Sequence, residues 1–499
     1  RFTNLESLQL YECSELTQLS SLSALPNLSN LGFYKVDINS LKMAQPMPQL
    51  RKLSVQQCTL SMEKVELSDF PNLVDLYLSF GDSITNIDDI RNLTQLEDLT
   101  LVRFQALPSL SALSQLTRLK SLDLNSCSAI TDLTPLSQLK DLKSLSLFSI
   151  NKISSLDGLS GLDSLDTLSV YGASSLTDLS DLRNLKHLTD LSLSSTSVTD
   201  ASPIADLVSL ESLSYSGTES TADISFLCPL INLRDLHISE LGITDLSTLE
   251  DLPALTSLSI SGCNQLTSLE GLSHIISLRS LSISDCDCLV SVVGISDLGY
   301  LDELSFDYCD SLANLKSLGA LPALRTLSFN GCYALEDLSG LEALTSLQNL
   351  YIYDCGPIKS LKPLSNIYSL KDIRIDYSKN VSTLNALKDL SNLKTLSLWG
   401  FDKLSDISAV SNLNQLEALI IGNSEKLKNI EAVRTLYNLA GINFAGCSSL
   451  SNTDALAGLN NLTFLNLSGT KISKVQAITQ LKSLKSLNLS DCDALKDIE

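Results

Sequence analysis

Apolar residues recur along this chain with a fixed period. Between Leu255 and Cys355 five segments, LTSLSISGC, LRSLSISDC, LDELSFDYC, LRTLSFNGC and LQNLYIYDC, follow one another at intervals of 23 residues. The last apolar positions of each segment alternate with polar ones, which is the period of a strand with one buried face. The pattern predicts that Leu281 and Ile283 point inward and that Ser282, between them, points outward.

The second half of each unit has a different spacing. In ITDLTPLSQLKDL, residues 130–142, leucines recur every third residue, which suits 3₁₀ turns or a very short helix. An Asp or Ser at the start of this half can accept hydrogen bonds from the free amides of such a turn. The predicted caps are Asp132, Asp178, Asp245 and Asp337.

The unit extends over the whole chain. Its first leucine recurs 22 times from Leu5 to Leu484, in steps of 22 or 23 residues. One such unit cannot bury its own leucines, so neighbouring units must stack. The predicted fold is an α/β solenoid of about 22 coils, a horseshoe or arc with one long parallel β-sheet on the concave face and 3₁₀ turns or short helices on the convex face. We predict a single domain over residues 1–499. Because neither end carries a recognisable capping module, we also expect this domain to be part of a larger protein.

Three segments carry a family resemblance: ITDLTPLSQLKDLKSLSL (130–147), ITDLSTLEDLPALTSLSI (243–260) and LEDLSGLEALTSLQNLYI (335–352). They resemble the leucine-rich repeats of the internalin and SDS22-like class. The resemblance covers the whole chain and implies a protein-recognition scaffold, without indicating a partner. The sequence departs from internalin-type repeats at the last position of each segment of the LTSLSISGC type, which we call the ladder position. Internalin-type repeats usually carry Asn there. Ten repeats have Cys there: Cys13, Cys58, Cys127, Cys263, Cys286, Cys309, Cys332, Cys355, Cys447 and Cys492.

The cysteines are predicted to be thiols. Stacked ladder cysteines would lie about 5 Å apart, within the range for a disulfide, but their parallel Cβ directions make poor bridging geometry. We predict buried thiols that act as small hydrophobic side chains with a weak S–H donor. Cys228 and Cys288 lie outside the ladder and are expected to be partly buried and unpaired. So many unpaired thiols favour a reducing, intracellular compartment.

The charge of the chain is strongly negative and unevenly distributed. The formal net charge is −22, with 19 Lys and Arg against 43 Asp and Glu in residues 1–350, and 16 against 14 in residues 351–499. An acidic solenoid repels phosphate backbones, so no nucleic-acid partner is predicted. A protein partner with a basic surface and simple solubility both remain as explanations. No apolar run approaches the ~18 residues of a membrane-spanning helix, and none is predicted.

The outward strand positions locate the candidate site. In the middle of the chain they are mostly serines, which we interpret as surface filler. Aromatic, acidic and Arg residues replace the serines towards the C-terminal side, and these types dominate binding hot spots. The predicted partner-binding residues are Asp307, Tyr308, Tyr351, Tyr353, Asp354, Asp372, Arg374, Asp376, Tyr377 and Trp399. A looser, secondary patch is predicted at Tyr11, Tyr34, Lys35, Tyr77, Phe80 and Arg103.

An enzyme is not predicted. The three histidines, His187, His237 and His274, share no metal-binding spacing, and neither a phosphate-binding glycine loop nor a G-x-S-x-G motif occurs. We therefore predict no catalytic, cofactor or metal-binding residues. The leading hypothesis is a non-catalytic scaffold that holds a protein partner along its concave face. The alternatives are a recognition or regulatory segment of a larger multidomain protein and a surface adhesin of internalin type. No feature of the sequence indicates an oligomeric state.

Overall fold

The computed structural model describes residues 2–13, 16, 19–36, 41–58, 66–79 and 84–498. The chain divides into two compact units, Arg1–Ser239 and Glu240–Glu499. Each unit repeats the predicted element, a short strand followed by a turn and a return segment that leads to the next strand. The single domain over residues 1–499 stays a prediction.

The first unit contains a parallel sheet of eleven strands within the described residues, each paired with the strand of the next repeat. The strands are β1 Ser7–Tyr11, β2 Asn30–Tyr34, β3 Lys52–Gln56, β4 Asp75–Ser79, β5 Asp98–Val102, β6 Ser121–Asn125, β7 Ser144–Phe148, β8 Thr167–Tyr171, β9 Asp190–Ser194, β10 Ser212–Ser216 and β11 Asp235–Ser239. The return segments form 3₁₀ turns at Ser20–Ala24, Leu67–Asp69, Asp88–Asn92, Ser111–Gln115, Thr134–Gln138, Ser180–Asn184, Ser202–Asp206 and Ser225–Leu227.

The second unit repeats this architecture with eleven further strands among its described residues. They are β12 Ser257–Ser261, β13 Ser280–Ser284, β14 Glu303–Asp307, β15 Thr326–Asn330, β16 Asn349–Tyr353, β17 Asp372–Asp376, β18 Thr395–Trp399, β19 Ala418–Gly422, β20 Gly441–Asn443, β21 Phe464–Asn466 and β22 Ser486–Asn488. Its 3₁₀ turns are Ser247–Asp251, Leu341–Ala343, Lys362–Leu364, Asn385–Leu387, Ser408–Asn412, Glu431–Thr435, Asp454–Leu456 and Ile478–Gln480.

The strand register follows from the sequence period. Leu258 pairs with Leu281, and Leu281 pairs with Leu304, each exactly one repeat further along the chain. The inward orientation predicted for Leu281 and Ile283 is confirmed, since both are buried while Ser282 is half-buried on the opposite face. Identical positions of successive repeats therefore stack in columns, and each repeat is stabilised by its neighbours.

Several ladder cysteines tie their turn to the preceding repeat. The Sγ atoms of Cys127, Cys447 and Cys492 donate to backbone carbonyl oxygens of that repeat at 3.6, 3.0 and 3.1 Å. The prediction of buried, weakly donating thiols is thus confirmed at these positions. Burial raises the pKa of Cys127 to about 11 and that of Cys286 to about 12, so both stay protonated at neutral pH.

Two cysteines depart from expectation. Cys13 is only half-buried, because in the described residues its single neighbouring repeat is the following one. Cys288 was expected to be partly buried and is exposed. The reason is that Leu289, the next residue, takes the buried position in that turn. Cys228 is half-buried, as predicted.

The predicted Asp caps are confirmed. The Oδ1 atoms of Asp132, Asp178, Asp245 and Asp337 accept hydrogen bonds at 2.8, 2.8, 3.0 and 2.9 Å from the amides two residues later. Hydrogen bonds from the serine two residues later lower the pKa of Asp178, Asp245 and Asp337, because these bonds favour the ionised carboxylate. These acids act as turn caps.

Some return segments contain no 3₁₀ turn, contrary to the general prediction. In the described residues after β7, β12 and β13 a glycine with positive φ lies there instead: Gly158 at 101°, Gly271 at 97° and Gly294 at 107°. A Cβ at position 294 would lie 2.0 Å from the carbonyl oxygen of Leu269. Glycine therefore lets these repeats approach each other more closely than a side chain would allow.

Most strands are followed directly by a residue with left-handed backbone conformation. Tyr308, Asp354 and Tyr377 have φ of 52°, 48° and 57°. The amides of Tyr308 and Tyr377 donate to the carbonyl oxygens of Asn330 and Trp399 at 2.7 and 2.6 Å. Tyr308, Asp354 and Tyr377, all predicted site residues, therefore follow their strands at equivalent positions of the second unit.

Candidate interaction surface on the strand faces

The final residues of β14–β18 stand side by side, and we call this row the strand-end column. Its members are Asp307, Asn330, Tyr353, Asp376 and Trp399. Asn330 pairs with Tyr353, and Asp376 pairs with Trp399. The structure thus brings four predicted residues, each from a different repeat, onto one edge of the sheet together with Asn330, which was not predicted, although each member is 23 residues from the next in sequence.

Arg374 is fixed by contacts within the protein. Its Nε and an Nη atom donate to the two carboxylate oxygens of Asp372, each at 3.0 Å, and its guanidinium carbon lies 5.6 Å from the centre of the Tyr351 ring. The bond to Asp372 raises the pKa of Arg374. Arg374 is exposed, but its bidentate pairing leaves it as an oriented part of the surface.

Two tyrosines of β16 form a stacked pair. The ring centres of Tyr351 and Tyr353 are 6.2 Å apart, and their planes differ by 13°. Both side chains are half-buried, and this burial raises the pKa of both phenols. Stacked tyrosines present a large, rigid contact area at a low cost in conformational entropy.

Three aromatic rings cover glycines of the following repeat. The pairs are Tyr308 with Gly331, Tyr377 with Gly400 and Trp399 with Gly422. A Cβ at position 422 would lie 2.3 Å from Cε3 of Trp399, so the indole lies directly on the backbone. Although Trp399 occupies an outward strand position, it is half-buried because it rests on Gly422, whereas Tyr377 is 52% exposed.

Two members of the strand-end column, Asp307 and Asp376, are carboxylates. Burial raises the pKa of Asp307 and of Asp376, and the negative charge of Asp354 raises that of Asp376 further. Oδ1 of Asp376 is buried and has no hydrogen-bond partner among the residues that the structure describes. The strand-end column therefore carries negative charge that is only partly solvated.

One member of the surface was missed by the sequence analysis. Tyr333 is exposed, and its hydroxyl donates to Oδ2 of Asp354 at 3.5 Å. Asp354 is the first cause of the raised pKa of Tyr333. A signal was present, because the residue after the ladder cysteine is Asp in the two preceding repeats and Tyr in this one.

The serines at the central outward position of successive strands stay a predicted surface filler. Ser305 donates to Ser282 at 2.9 Å across neighbouring strands. Such paired hydroxyls satisfy one another and leave a flat polar surface. The contrast between this surface and the aromatic strand-end column defines the candidate site.

The secondary patch in the first unit is brought together only in part. Tyr11 and Tyr34 lie 6.0 Å apart, and Nζ of Lys35 lies 5.3 Å from the Tyr34 ring centre and 3.2 Å from Glu12. Tyr77 lies two strands further on in β4, and its raised pKa reflects burial and the charge of Asp123. Arg103 follows β5 with a φ of 63°, and Phe80 lies outside the described residues.

The first unit also contains an exposed aromatic pair outside both predicted patches. Phe148 and Tyr171, which end β7 and β8, are stacked with ring centres 4.7 Å apart and an interplanar angle of 13°. Both are exposed. They provide a structurally matched comparison for the aromatic residues of the second unit.

Candidate metal ligands in the described part of the chain are its His, Cys, Asp and Glu side chains. No cluster of His, Cys, Asp and Glu with metal-binding geometry occurs among those residues. His237 is half-buried, and burial lowers its pKa. Over the same residues, no helix has the length and apolar character needed to cross a bilayer.

Comparisons with known proteins identify the repeat. A family model described as leucine-rich repeat region matches residues 100–337, and one described as BspA type leucine rich repeat region (6 copies) matches residues 376–496. Together these regions span more than half of the chain, which belongs to the leucine-rich repeat proteins. Such proteins are in general non-enzymatic scaffolds for interactions. No curated protein matches the chain.

Solved structures with a similar architecture share little sequence identity with this chain. TLR13, in a complex with ssRNA13, is 18% identical, with 96% of this chain and 89% of that chain covered and a TM-score of 0.50. A leucine-rich repeat protein of Leptospira interrogans is 18% identical, with coverage of 90% and 92% and a TM-score of 0.49. An internalin of Listeria monocytogenes is 20% identical, with coverage of 97% and 86% and a TM-score of 0.34. At this identity, the likeness to TLR13 shows the fold alone.

Proposed function

We propose that this chain is a non-catalytic scaffold that binds a protein partner on its outward strand faces, with β14–β18 as the principal contact. The observation that carries the proposal is the strand-end column, where aromatic rings and carboxylates from successive repeats share one edge. Aromatic residues and Arg dominate the energetics of protein interfaces.

The fixed geometry of this surface supports the same function. Trp399 rests on Gly422, Tyr353 stacks on Tyr351, and Arg374 is held by Asp372. Side chains that are already ordered lose little conformational entropy when a partner binds. The serine-lined strands beside them offer few groups that could contribute comparable binding energy.

The experiment is affinity capture with the full chain, in which bound proteins are identified by mass spectrometry. We compare the wild type with the double variant Tyr353→Ala/Trp399→Ala and with the matched control Phe148→Ala/Tyr171→Ala, which also removes two strand-end aromatic residues. At least one captured protein should be lost with the first variant and retained with the control. If every partner survives the first variant unchanged, β14–β18 are not the principal contact.

A further inference from the structure

A groove lies between the return segments that follow β16 and β17 in the second unit. Its volume of about 430 Å³ is that of a small-molecule site. Its polar lining side chains include those of Lys359, Ser360, Lys362, Asn380, Ser382 and Thr383. None of the residues that line it in the described part of the chain is acidic. The groove is therefore a basic, hydrogen-bonding place on a chain whose net charge is −22.

The groove lacks carboxylates because two successive turn caps are hydroxyl groups. The side-chain oxygens of Ser360 and Thr383 accept hydrogen bonds from the amides two residues later, at 3.1 and 3.2 Å. The equivalent caps one repeat before and one repeat after are Asp337 and Asp406. Serine and threonine cap a turn as aspartate does, but without a charge. These two repeats thus keep the caps and remove two negative charges from the groove.

Three ammonium groups reach the groove from two repeats. Lys359 and Lys362 line it directly, and Nζ of Lys403 donates to Oδ1 of Asn380, another lining residue, at 3.0 Å. Lys359 is paired with Glu336, whereas Lys362 and Lys403 make no ion pair among the described residues. Two uncompensated positive charges therefore lie at one groove, and they attract an anion.

Two other grooves do not combine these features. One, further along the second unit, contains Lys428 together with Glu431. The other, in the first unit, contains Arg91, whose guanidinium is paired with Asp88 at 2.6 Å. In both, an anion would meet a carboxylate beside the cation. The groove after β16 differs from them in having uncompensated lysines and neutral caps.

We propose that this groove binds a phosphate monoester of a small hydroxylated molecule, such as a sugar phosphate. Lysine ammonium groups bind phosphate as point charges, whereas a planar carboxylate is matched better by the arginine fork. Hydroxyl and amide side chains donate and accept hydrogen bonds, as the hydroxyl groups of a sugar require. A single phosphate fits here, while a long phosphate backbone is repelled by the acidic repeats. The site is separate from the proposed protein contact on the strand faces.

The experiment titrates the full chain into glucose 6-phosphate or inorganic phosphate and follows the broadening of the phosphorus NMR line. Glucose is tested by saturation-transfer difference NMR. Thr383→Asp is the informative variant, since Asp replaces the cap and adds a negative charge to the groove. Asn452→Asp is the matched control, because Asn452 is also a cap, with its Oδ1 2.7 Å from the amide of Asp454, and lies three repeats further along the chain. Lys362→Gln removes one uncompensated charge at an exposed position.

Glucose 6-phosphate should bind the wild type and Asn452→Asp equally. It should bind Thr383→Asp about tenfold more weakly, because a like charge enters the groove, and Lys362→Gln about threefold more weakly. Inorganic phosphate should bind more weakly than the ester, and glucose should not bind. The urea midpoint of each variant should stay close to that of the wild type, which shows that the fold is kept.

Three results would overturn the proposal. The first is an unbroadened line of glucose 6-phosphate with the wild type, and the second is equal binding of this ester to the wild type, Thr383→Asp and Lys362→Gln. If Thr383→Asp does not fold, Lys362→Gln alone decides the second result. The third is inorganic phosphate that binds as tightly as the ester, since the hydroxylated part of the ligand would then not be recognised.

Discussion

The indole of Trp399 lies on Gly422 of the next repeat, so closely that a Cβ at position 422 would fall 2.3 Å from Cε3. Gly422→Ala must therefore displace the ring towards solvent. Since Trp399 is the single tryptophan of the chain, its fluorescence reports this directly, and the emission maximum should shift to longer wavelength. Partner capture should weaken in parallel.

Gly441→Ala provides the control for this prediction. Gly441 begins the neighbouring strand β20, and a Cβ there would meet nothing within 4 Å. Its emission maximum should match that of the wild type. An unchanged emission maximum in Gly422→Ala would show that the indole does not depend on this glycine.

The Asp caps predict a pH dependence of stability. Hydrogen bonds from Ser339 lower the pKa of Asp337. A carboxyl group whose pKa is lower in the folded state stabilises that state at every pH above its unfolded-state pKa of about 3.9. This stabilisation is lost as the pH falls through the folded-state pKa. Asp337→Ala should therefore lower the urea midpoint clearly at pH 7, and the difference from wild type should shrink towards pH 3. Asp337→Asn keeps the acceptor oxygen and should lose less at pH 7.

The left-handed residues that follow the strands are positions where we expect a substitution by glycine to stabilise the protein. Ser149 has a φ of 55°, and Gly172 occupies the same position one repeat later. A side chain in this conformation costs roughly 1 kcal/mol, so Ser149→Gly should raise the free energy of unfolding by up to that amount. Urea denaturation measures the change.

The control is Ser169→Gly in the middle of β8, where the extended backbone gives glycine no advantage. This substitution should destabilise the protein by about 0.5–1 kcal/mol. If Ser149→Gly lowers the urea midpoint as much as Ser169→Gly does, the strain argument fails.

Thiol reactivity should distinguish Cys288 from the ladder. Cys288 is exposed, whereas Cys286, two residues earlier, is buried with its pKa raised to about 12. The thiolate is the reactive species, so Cys286 and its ladder neighbours should react with a thiol reagent only after unfolding. Labelling at pH 8 followed by peptide mass analysis should find Cys288 modified first. Cys288→Ser should remove the fastest phase, and a fast phase that persists would contradict the assignment.

The repeat itself could be predicted from the sequence because its determinants are local and periodic. Alternation placed Leu281 and Ile283 in the core, and the 23-residue interval set the register that pairs Leu281 with Leu304. Asp132 could be identified as a turn cap because its partner amide is only two residues away. Each of these inferences needs no contact beyond the same or the adjacent repeat.

The tertiary structure decided what the outward side chains do. Whether Trp399 is exposed depends on Gly422 in another repeat, and Tyr333 joins the surface through Asp354, 21 residues further along the chain. The leucine period fixes which way a side chain points, because inward positions must be apolar to fill the core. It does not fix which neighbour an outward side chain contacts, since that depends on the rotamer and size of residues a whole repeat away.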